Sequence, residues 1–255
     1  MTKAPKTAAR QARRATRAAK REETRSQRRH QTHQTFEDRF TSPPAKPVTE
    51  PLVALTEAQA DYGDLIEEKR ITFGIGPAGT GKTYYATRLA AEALDRREIR
   101  KIYLTRPAVE AGESLGFLPG DLDEKYEPYL RPFKDALNDH FGAGHVEYLI
   151  KSKVIEPVPL GFLRGATIKN AWMLADEMQN ATKSQMKMLL TRIGKDAKFI
   201  INGDLRQIDI DERSSGLEDA VKRTRKVEHV GAIEFTRADV VRDDIVQDIL
   251  AVYDN

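Results

Sequence analysis

"RITFGIGPAGTGKTYYATRLAAEAL", residues 70–94, decides how this chain is read. It opens with a β-prone run, Ile71–Ile75, which predicts a short strand. A glycine-rich turn follows, and then a segment rich in Ala and Leu that has the composition of a helix. The turn, GPAGTGKT at 76–83, fits the pattern G-x-x-x-x-G-K-[ST]. Gly76, Gly79 and Gly81 let the backbone fold around phosphates with its N–H groups pointing inward. Lys82 is placed to reach the β- and γ-phosphates. Thr83 is placed to bind Mg²⁺ at the positive end of the following helix. The full cradle runs through Gly76, Pro77, Ala78, Gly79, Thr80, Gly81, Lys82, Thr83 and Tyr84. A glycine-rich turn without a ligand is the plainer alternative, but the strand before and the helix after are the context the motif requires.

A phosphate loop alone does not make an ATPase, so the rest of the site must come from elsewhere in the chain. "NAWMLADEMQN", 170–180, is an apolar run ending in Asp176 and Glu177. A buried parallel strand ending there puts both carboxylates at the sheet's C-terminal edge, beside the phosphate loop. Asp176 would then hold Mg²⁺ through water, and Glu177 would polarise the attacking water. The alternative is an ordinary helix N-cap with a solvated neighbour. A third run, "AKFIINGDLRQID" at 197–209, reads as one more core strand. Gln207, just beyond it, is placed to sense a γ-phosphate, against the alternative of a turn held by Asn and Asp side chains. Trp172, Met173 and Leu174 read as core. The sum is an α/β domain of three layers, with a mainly parallel sheet and both motifs at its C-terminal edge.

The chain has 255 residues, 40% hydrophobic and 32% charged, and no cysteine, which excludes disulfides, thiolate nucleophiles and cysteine-ligated metals. No apolar run is long enough to span a bilayer, and a cytoplasmic setting with no membrane partner is the default expectation. The net charge of +3 hides an asymmetry: residues 1–30 hold eleven Lys/Arg against two acids, so everything after them is net acidic. Residues 1–41 therefore read as a disordered basic tail, 42–51 as a proline-rich linker, and 52–255 as the globular domain. Such a tail suits nucleic acid, but a solvated tail or an Arg-rich transit peptide has a similar composition. The acidic groups Asp121/Asp123/Glu124 and Asp209/Asp211/Glu212 read as loops or caps, and the histidines show no metal-ligand spacing in the body.

The passage "RPAVEAGESLGFLPGDLDEKYEPYLRP", 106–132, is rich in proline, glycine and acidic side chains and reads as neither helix nor strand. So long an irregular segment inside a domain implies a functional loop. Taken with "FGIGPAGTGKTY", "GFLRGATI", "DEMQN" followed by "QMKMLLTRIG", and "INGDLRQID" with the later "SGL", it makes the chain resemble the PhoH family over about 55–253. That family consists of RecA-like P-loop ATPases, similar in motifs to the first half of superfamily 1 helicases. The resemblance implies a RecA-like P-loop NTPase domain that takes ATP and Mg²⁺.

It also implies provisional roles. Gln59 and Tyr62, in "TEAQADY", match the family's Gln-x-x-Tyr and would contact adenine. Arg106 sits where helicases touch a nucleic-acid backbone. Phe162, Arg164 and Gly165 match an element ahead of the acidic strand, and Arg192 in "TRIG" is a candidate γ-phosphate sensor. Arg237 and Arg242 are candidate arginine fingers, although Asp243 replaces the family's His and Ala175 and Met178 are smaller departures. An arginine finger is worth on the order of 10³–10⁵ in rate. A superfamily 1 helicase supplies it from a second RecA-like domain, which this length does not hold. The expected partners are therefore RNA or single-stranded nucleic acid and further copies of the chain, as a homo-oligomer such as a hexameric ring. The 106–132 passage would then be an ordered interface loop. The competing functional reading is a nucleotide-dependent binding module with little turnover; a nuclease is a third, for which no additional domain fits.

Overall fold

Five-residue apolar runs separated by helices of eight residues or more leave the strands one economical arrangement, a parallel sheet with its crossovers packed on both faces. The computed structural model describes residues 50–107 and 122–242, with backbone only for 122–129, and beyond these Ile245, Val246, Ile249 and Val252. The basic tail, most of the linker and the first half of the 106–132 passage lie outside the described residues.

Six strands form one sheet in which every pairing is parallel: β1 (Ile71–Ile75), β2 (Lys101–Thr105), β3 (Ile155–Pro157), β4 (Ala171–Ala175), β5 (Ala197–Gly203) and β6 (Val230–Glu234). Their order is β3-β2-β4-β5-β1-β6. The helices are α1 (Glu57–Glu68), α2 (Lys82–Asp95), α3 (Leu122–Phe141), α4 (Ala143–Lys151), α5 (Lys183–Leu190) and α6 (Leu217–Thr224).

The two-residue period of the strands sorts the core into two halves. Trp172 and Leu174 of β4 and Ile200 of β5 join α1 to α4 on one face. Ala171, Met173 and Ala175 of β4, with Phe199 and Ile201 of β5, pack against Met186 and Leu189 of α5 and Leu217 and Ala220 of α6 on the other. All of β4 is buried, as a strand covered on both faces must be. The fold is a three-layer α/β architecture built on a parallel sheet, and Trp172, Met173 and Leu174 are core.

Two expectations need correction. Residues 122–132 are not loop but the first half of a 20-residue helix. Pro128 and Pro132 lie within it, at a cost of about 3 kcal/mol each in a helix interior. The helix nevertheless buries Leu130, Phe133, Leu137 and Phe141 at helical spacing. Four such side chains contribute about 6–12 kcal/mol, so burial outweighs the prolines. The second concerns Val240, Val241, Ile245, Ile249, Leu250 and Tyr253, whose roughly helical spacing suggests a C-terminal packing helix: Ile245, Ile249 and Val252 are helical but 65%, 51% and 76% exposed, while Leu250 and Tyr253 lie outside the described residues.

Candidate functional site

Because the sheet is parallel, β1, β2, β4 and β5 all end at the same edge, where crevices for ligands form. β5 lies between β1 and β4, so the segment after it is flanked by the phosphate loop on one side and by Asp176 and Glu177 on the other. Together with Arg106, which follows β2, and Pro132 of α3, these segments line a cleft of about 280 Å³.

The loop after β1 turns through left-handed conformations at Gly79 (φ 85°) and Gly81 (φ 78°), the latter being the N-cap of α2. The Lys82 ammonium, 8% exposed, donates to Gly76 O and Pro77 O at 2.7 Å and to Thr80 Oγ1 at 3.1 Å. Burial pushes its pKa down, while Asp176, Asp204 and Glu177 act in the opposite direction. The cation is therefore stored inside the turn, at the neck of the cleft.

In the first turn of α2, Thr83 Oγ1 donates to Asp176 Oδ1 at 2.9 Å. Asp176 is 5% exposed; burial raises its pKa, against the lowering effect of the neighbouring Arg106 guanidinium. Arg106 Nη2 lies 3.1 Å from Asp176 Oδ2 and 2.9 Å from Glu177 Oε1. Glu177 has a left-handed backbone (φ 53°), which turns the chain sharply from β4 into the short 3-10 turn Met178–Asn180. A hydroxyl and a carboxylate within hydrogen-bond distance of each other are hard oxygen donors of the kind Mg²⁺ takes when water and phosphate oxygens complete its shell. No group of three or more His, Cys, Asp or Glu side chains able to hold a metal occurs among the described residues.

Several expected residues converge here. Ala78, Gly79, Gly81, Lys82, Thr83 and Tyr84 line the cleft with Asp176, Glu177 and Gln207. Tyr84 accepts from Arg88 and donates to Asp139 Oδ2, both at 3.0 Å, which fixes its ring at the mouth. The Arg242 side chain lies over the phosphate loop, so close that a Cβ on Gly79 would sit 2.3 Å from its Nε. Asp243 lies outside the described residues.

Four other expected residues are turned toward protein groups. Tyr62 has no exposed surface; its hydroxyl donates to Asn202 Oδ1 at 2.5 Å and its ring meets Phe235 edge-on at 5.4 Å, so it has no face to offer adenine. Gln59 is 3% exposed and turned inward: its Oε1 accepts from Leu55 N at 2.9 Å and its Nε2 donates to Thr80 O at 3.0 Å. It braces the phosphate loop from behind. Arg106 is turned toward the two carboxylates of the cleft. Arg192 donates to Met188 O and Ala166 O at 3.3 Å, ahead of the start of β4, so it sits at the edge opposite Asp176. A five-residue strand separates those edges by about 17 Å. Phe162 is 66% exposed in the 3-10 turn Leu160–Leu163, away from the cleft.

Reading the sequence missed Gln179 and Asn180. Both are buried and both bond to the segment after β5: Gln179 Nε2 to Gln207 O at 3.0 Å, and Asn180 Nδ2 to Asp209 Oδ2 at 2.8 Å. Their signal was present in "DEMQN", two amides directly behind two acids, where a polar run that starts a helix could as well be solvated. Asp209 is accordingly a structural anchor.

A model of the family described as PhoH-like protein matches residues 51–254. A PhoH-like protein of Bacillus subtilis (strain 168) is 50% identical over 200 residues, covering 78% of this chain and 63% of that protein. A PhoH-like protein of Mycobacterium tuberculosis (strain H37Rv) is 47% identical over 196 residues, covering 76% of this chain and 56% of that protein. The chain thus matches little more than half to five-eighths of these relatives' length. Among solved structures, the UvsW helicase from bacteriophage T4 is similar with a TM-score of 0.41 at 15% identity, over 78% of this chain and 66% of that one. Among the described residues no helix is long and apolar enough to cross a membrane. With its phosphate loop, its acidic strand and a family match running over nearly all of the globular part, the chain belongs to the PhoH family of P-loop proteins.

Proposed function

We propose that this chain binds ATP with Mg²⁺ in the cleft at the sheet edge and hydrolyses it. The observation that carries the reading is the Thr83 hydroxyl 2.9 Å from Asp176, with Glu177 next in sequence and the Lys82 ammonium held inside the loop. Thr83 and Asp176 would hold the Mg²⁺, which when bound neutralises charge on the β- and γ-phosphate oxygens. The N–H groups of Ala78–Thr83 and the Lys82 cation orient the triphosphate. Glu177 orients the attacking water, Gln207 faces the terminal phosphate, and Tyr84 closes one side of the mouth. Arg242, lying over Gly79 in the same chain, is the arginine best placed to stabilise charge on the phosphates.

Glu177→Gln tests this. Turnover should fall about 10²-fold or more, the scale of a lost general base. ATP affinity measured by calorimetry should stay within about threefold. Unchanged turnover in the variant overturns the assignment. A wild-type chain that binds ATP without turnover favours the second reading, a nucleotide-dependent binding module. That reading draws on Arg106, which engages the very carboxylate the reaction needs.

Coupling to RNA or single-stranded DNA is the further part of the proposal. It is supported by the charge of residues 1–30, eleven cations against two acids. The test is ATP turnover with and without single-stranded RNA at low and high salt. A salt-independent, RNA-indifferent rate removes nucleic acid from the account. Assembly into a homo-oligomer, with Arg192 or Arg237 acting on a neighbour's site, predicts a specific activity that rises with protein concentration. A constant specific activity from a monomer sinks it.

A further inference from the structure

We propose that Gln179 is a positioning residue for the hydrolytic step: its side-chain amide sets the Glu177 carboxylate and the segment after β5 in one fixed geometry. This rests on the hydrolytic reading above. Gln179 is 1% exposed, and its amide is fully engaged by three distinct parts of the site. Nε2 donates to Glu177 Oε2 at 2.6 Å and to Gln207 O at 3.0 Å. Oε1 accepts from Asp204 N at 3.0 Å. Its main-chain carbonyl accepts from Ser215 Oγ at 2.7 Å, which ties the same residue to the start of α6.

The space for this amide is provided by Gly203, the last residue of β5. A Cβ there would stand 2.5 Å from Leu217 Cδ2, 2.8 Å from Gln179 Oε1 and 3.1 Å from Gln179 N. The glycine and the glutamine therefore form one device. The missing side chain of β5 leaves room for an amide that reaches from the acidic turn to the neighbouring segment.

The chemical consequence is specific. A carboxylate that orients water must present one oxygen to the cleft and keep it there. Glu177 has one oxygen held by Gln179 and the other 2.9 Å from Arg106. When the nucleotide site is engaged, Gln179 still fixes the back oxygen, so the front one faces the water. A glutamine is suited to this because it donates and accepts with no charge of its own, at full burial. Through Gln207 O, a shift of the segment after β5 moves the Glu177 carboxylate with it. Its own hydrogen-bond partner thus links the γ-phosphate side of the cleft to the water side.

Gln179→Glu in the full chain is the primary test, with ATP and Mg²⁺ as the probes. It keeps the shape and the acceptor to Asp204 N but turns the donor facing Glu177 into a second carboxylate. At pH 7 kcat should fall about tenfold or more, with KM and ATP affinity within about threefold. The loss should sit in kcat and not in KM, the split that separates a misplaced Glu177 carboxylate from a disturbed nucleotide site. Gln179→Met, of similar length but without the amide's donor and acceptor, is the neutral counterpart, serving if Gln179→Glu does not fold; it should lower kcat at near-constant KM by releasing the Glu177 carboxylate. Unchanged kcat, or a fall in kcat matched by an equal loss of ATP affinity, overturns the proposal. A wild-type chain without ATP turnover removes the hydrolytic reading itself. Normal wild-type turnover with an unaltered variant kcat removes only the role of Gln179.

Discussion

Removing a single oxygen from Tyr62 distinguishes a structural tyrosine from one that holds adenine. The Tyr62 hydroxyl is wholly buried and donates to Asn202 Oδ1 at 2.5 Å; Asn202 itself is 4% exposed. Burial keeps this phenol neutral far beyond the physiological range, so the hydrogen bond persists across any practical pH. Tyr62→Phe leaves the ring and its edge-on contact with Phe235 in place and creates almost no cavity. What remains is a buried carbonyl oxygen without its donor, a cost of about 1–3 kcal/mol. For a domain of this size 1 kcal/mol corresponds to about 2–4 °C, so Tm should fall by about 2–12 °C. The scan must be run without nucleotide, because a bound ligand raises Tm by mass action. ATP affinity, measured by calorimetry well below the transition, should stay within about twofold. A Tm shifted by less than about 1 °C alongside a tenfold loss of ATP affinity would refute the burial argument and return Tyr62 to the nucleotide.

Arg192→Ala should leave ATP affinity unchanged by calorimetry and cost about 0.5–1.5 kcal/mol in denaturant unfolding, since its hydrogen bonds go to Ala166 O and Met188 O. A tenfold loss of affinity would mean that Arg192 reaches a phosphate after all. The alkaline limb of kcat/KM should lie below the ordinary lysine value of 10.5, because burial makes Lys82 lose its proton, and with it the charge the triphosphate needs, at a lower pH than an exposed lysine. Asp204→Asn removes one of the charges opposing that effect and should move the limb further down; a limb that does not respond excludes Lys82 as its origin.

What could be read from the sequence was what chain neighbours decide. GPAGTGKT carries its own turn chemistry, and Ile71–Ile75, Ala171–Ala175 and Ala197–Gly203 are apolar runs of strand length, so three strands and the site's edge followed. Two kinds of feature did not. One is a local signal overruled by burial: Pro128 and Pro132 argue against a helix, yet Leu130, Phe133, Leu137 and Phe141 make one worthwhile once α2 lies beside it. The other is side-chain direction. Gln59, Tyr62 and Arg106 are near the site, as the family resemblance implied, but position along a chain does not say whether a polar group faces the ligand or another side chain. Tyr62 found Asn202, 140 residues away, and Arg106 found Glu177, 71 residues away. Gln179 went unread for the same reason, its three partners lying on two other segments.

The phosphate loop is held from behind by the two ends of the domain, and this changes how affinity and stability should be linked. Gln59 of α1, the first helix described, donates to Thr80 O. From beyond β6, Phe235 N donates to Ile75 O at 2.7 Å and Val241 N to Gly79 O at 2.9 Å. Phe235 also closes on Gly76 so tightly that a Cβ there would stand 2.3 Å from its carbonyl oxygen. A loop fixed by contacts this far apart in sequence has its N–H groups oriented before any phosphate arrives, and that ordering is not charged against binding. The Val241 contact from beyond β6 belongs to a segment, 236–242, that is mostly exposed, whereas α1 is buried through Gln59, Tyr62 and Ile66, so local opening costs least after β6. Loosening that segment frees the loop while β4, β5 and the acids they carry remain packed in the core. Triphosphate affinity should therefore weaken before the geometry around Glu177 does, and the first sign of a destabilised terminus is a raised KM at a nearly unchanged kcat.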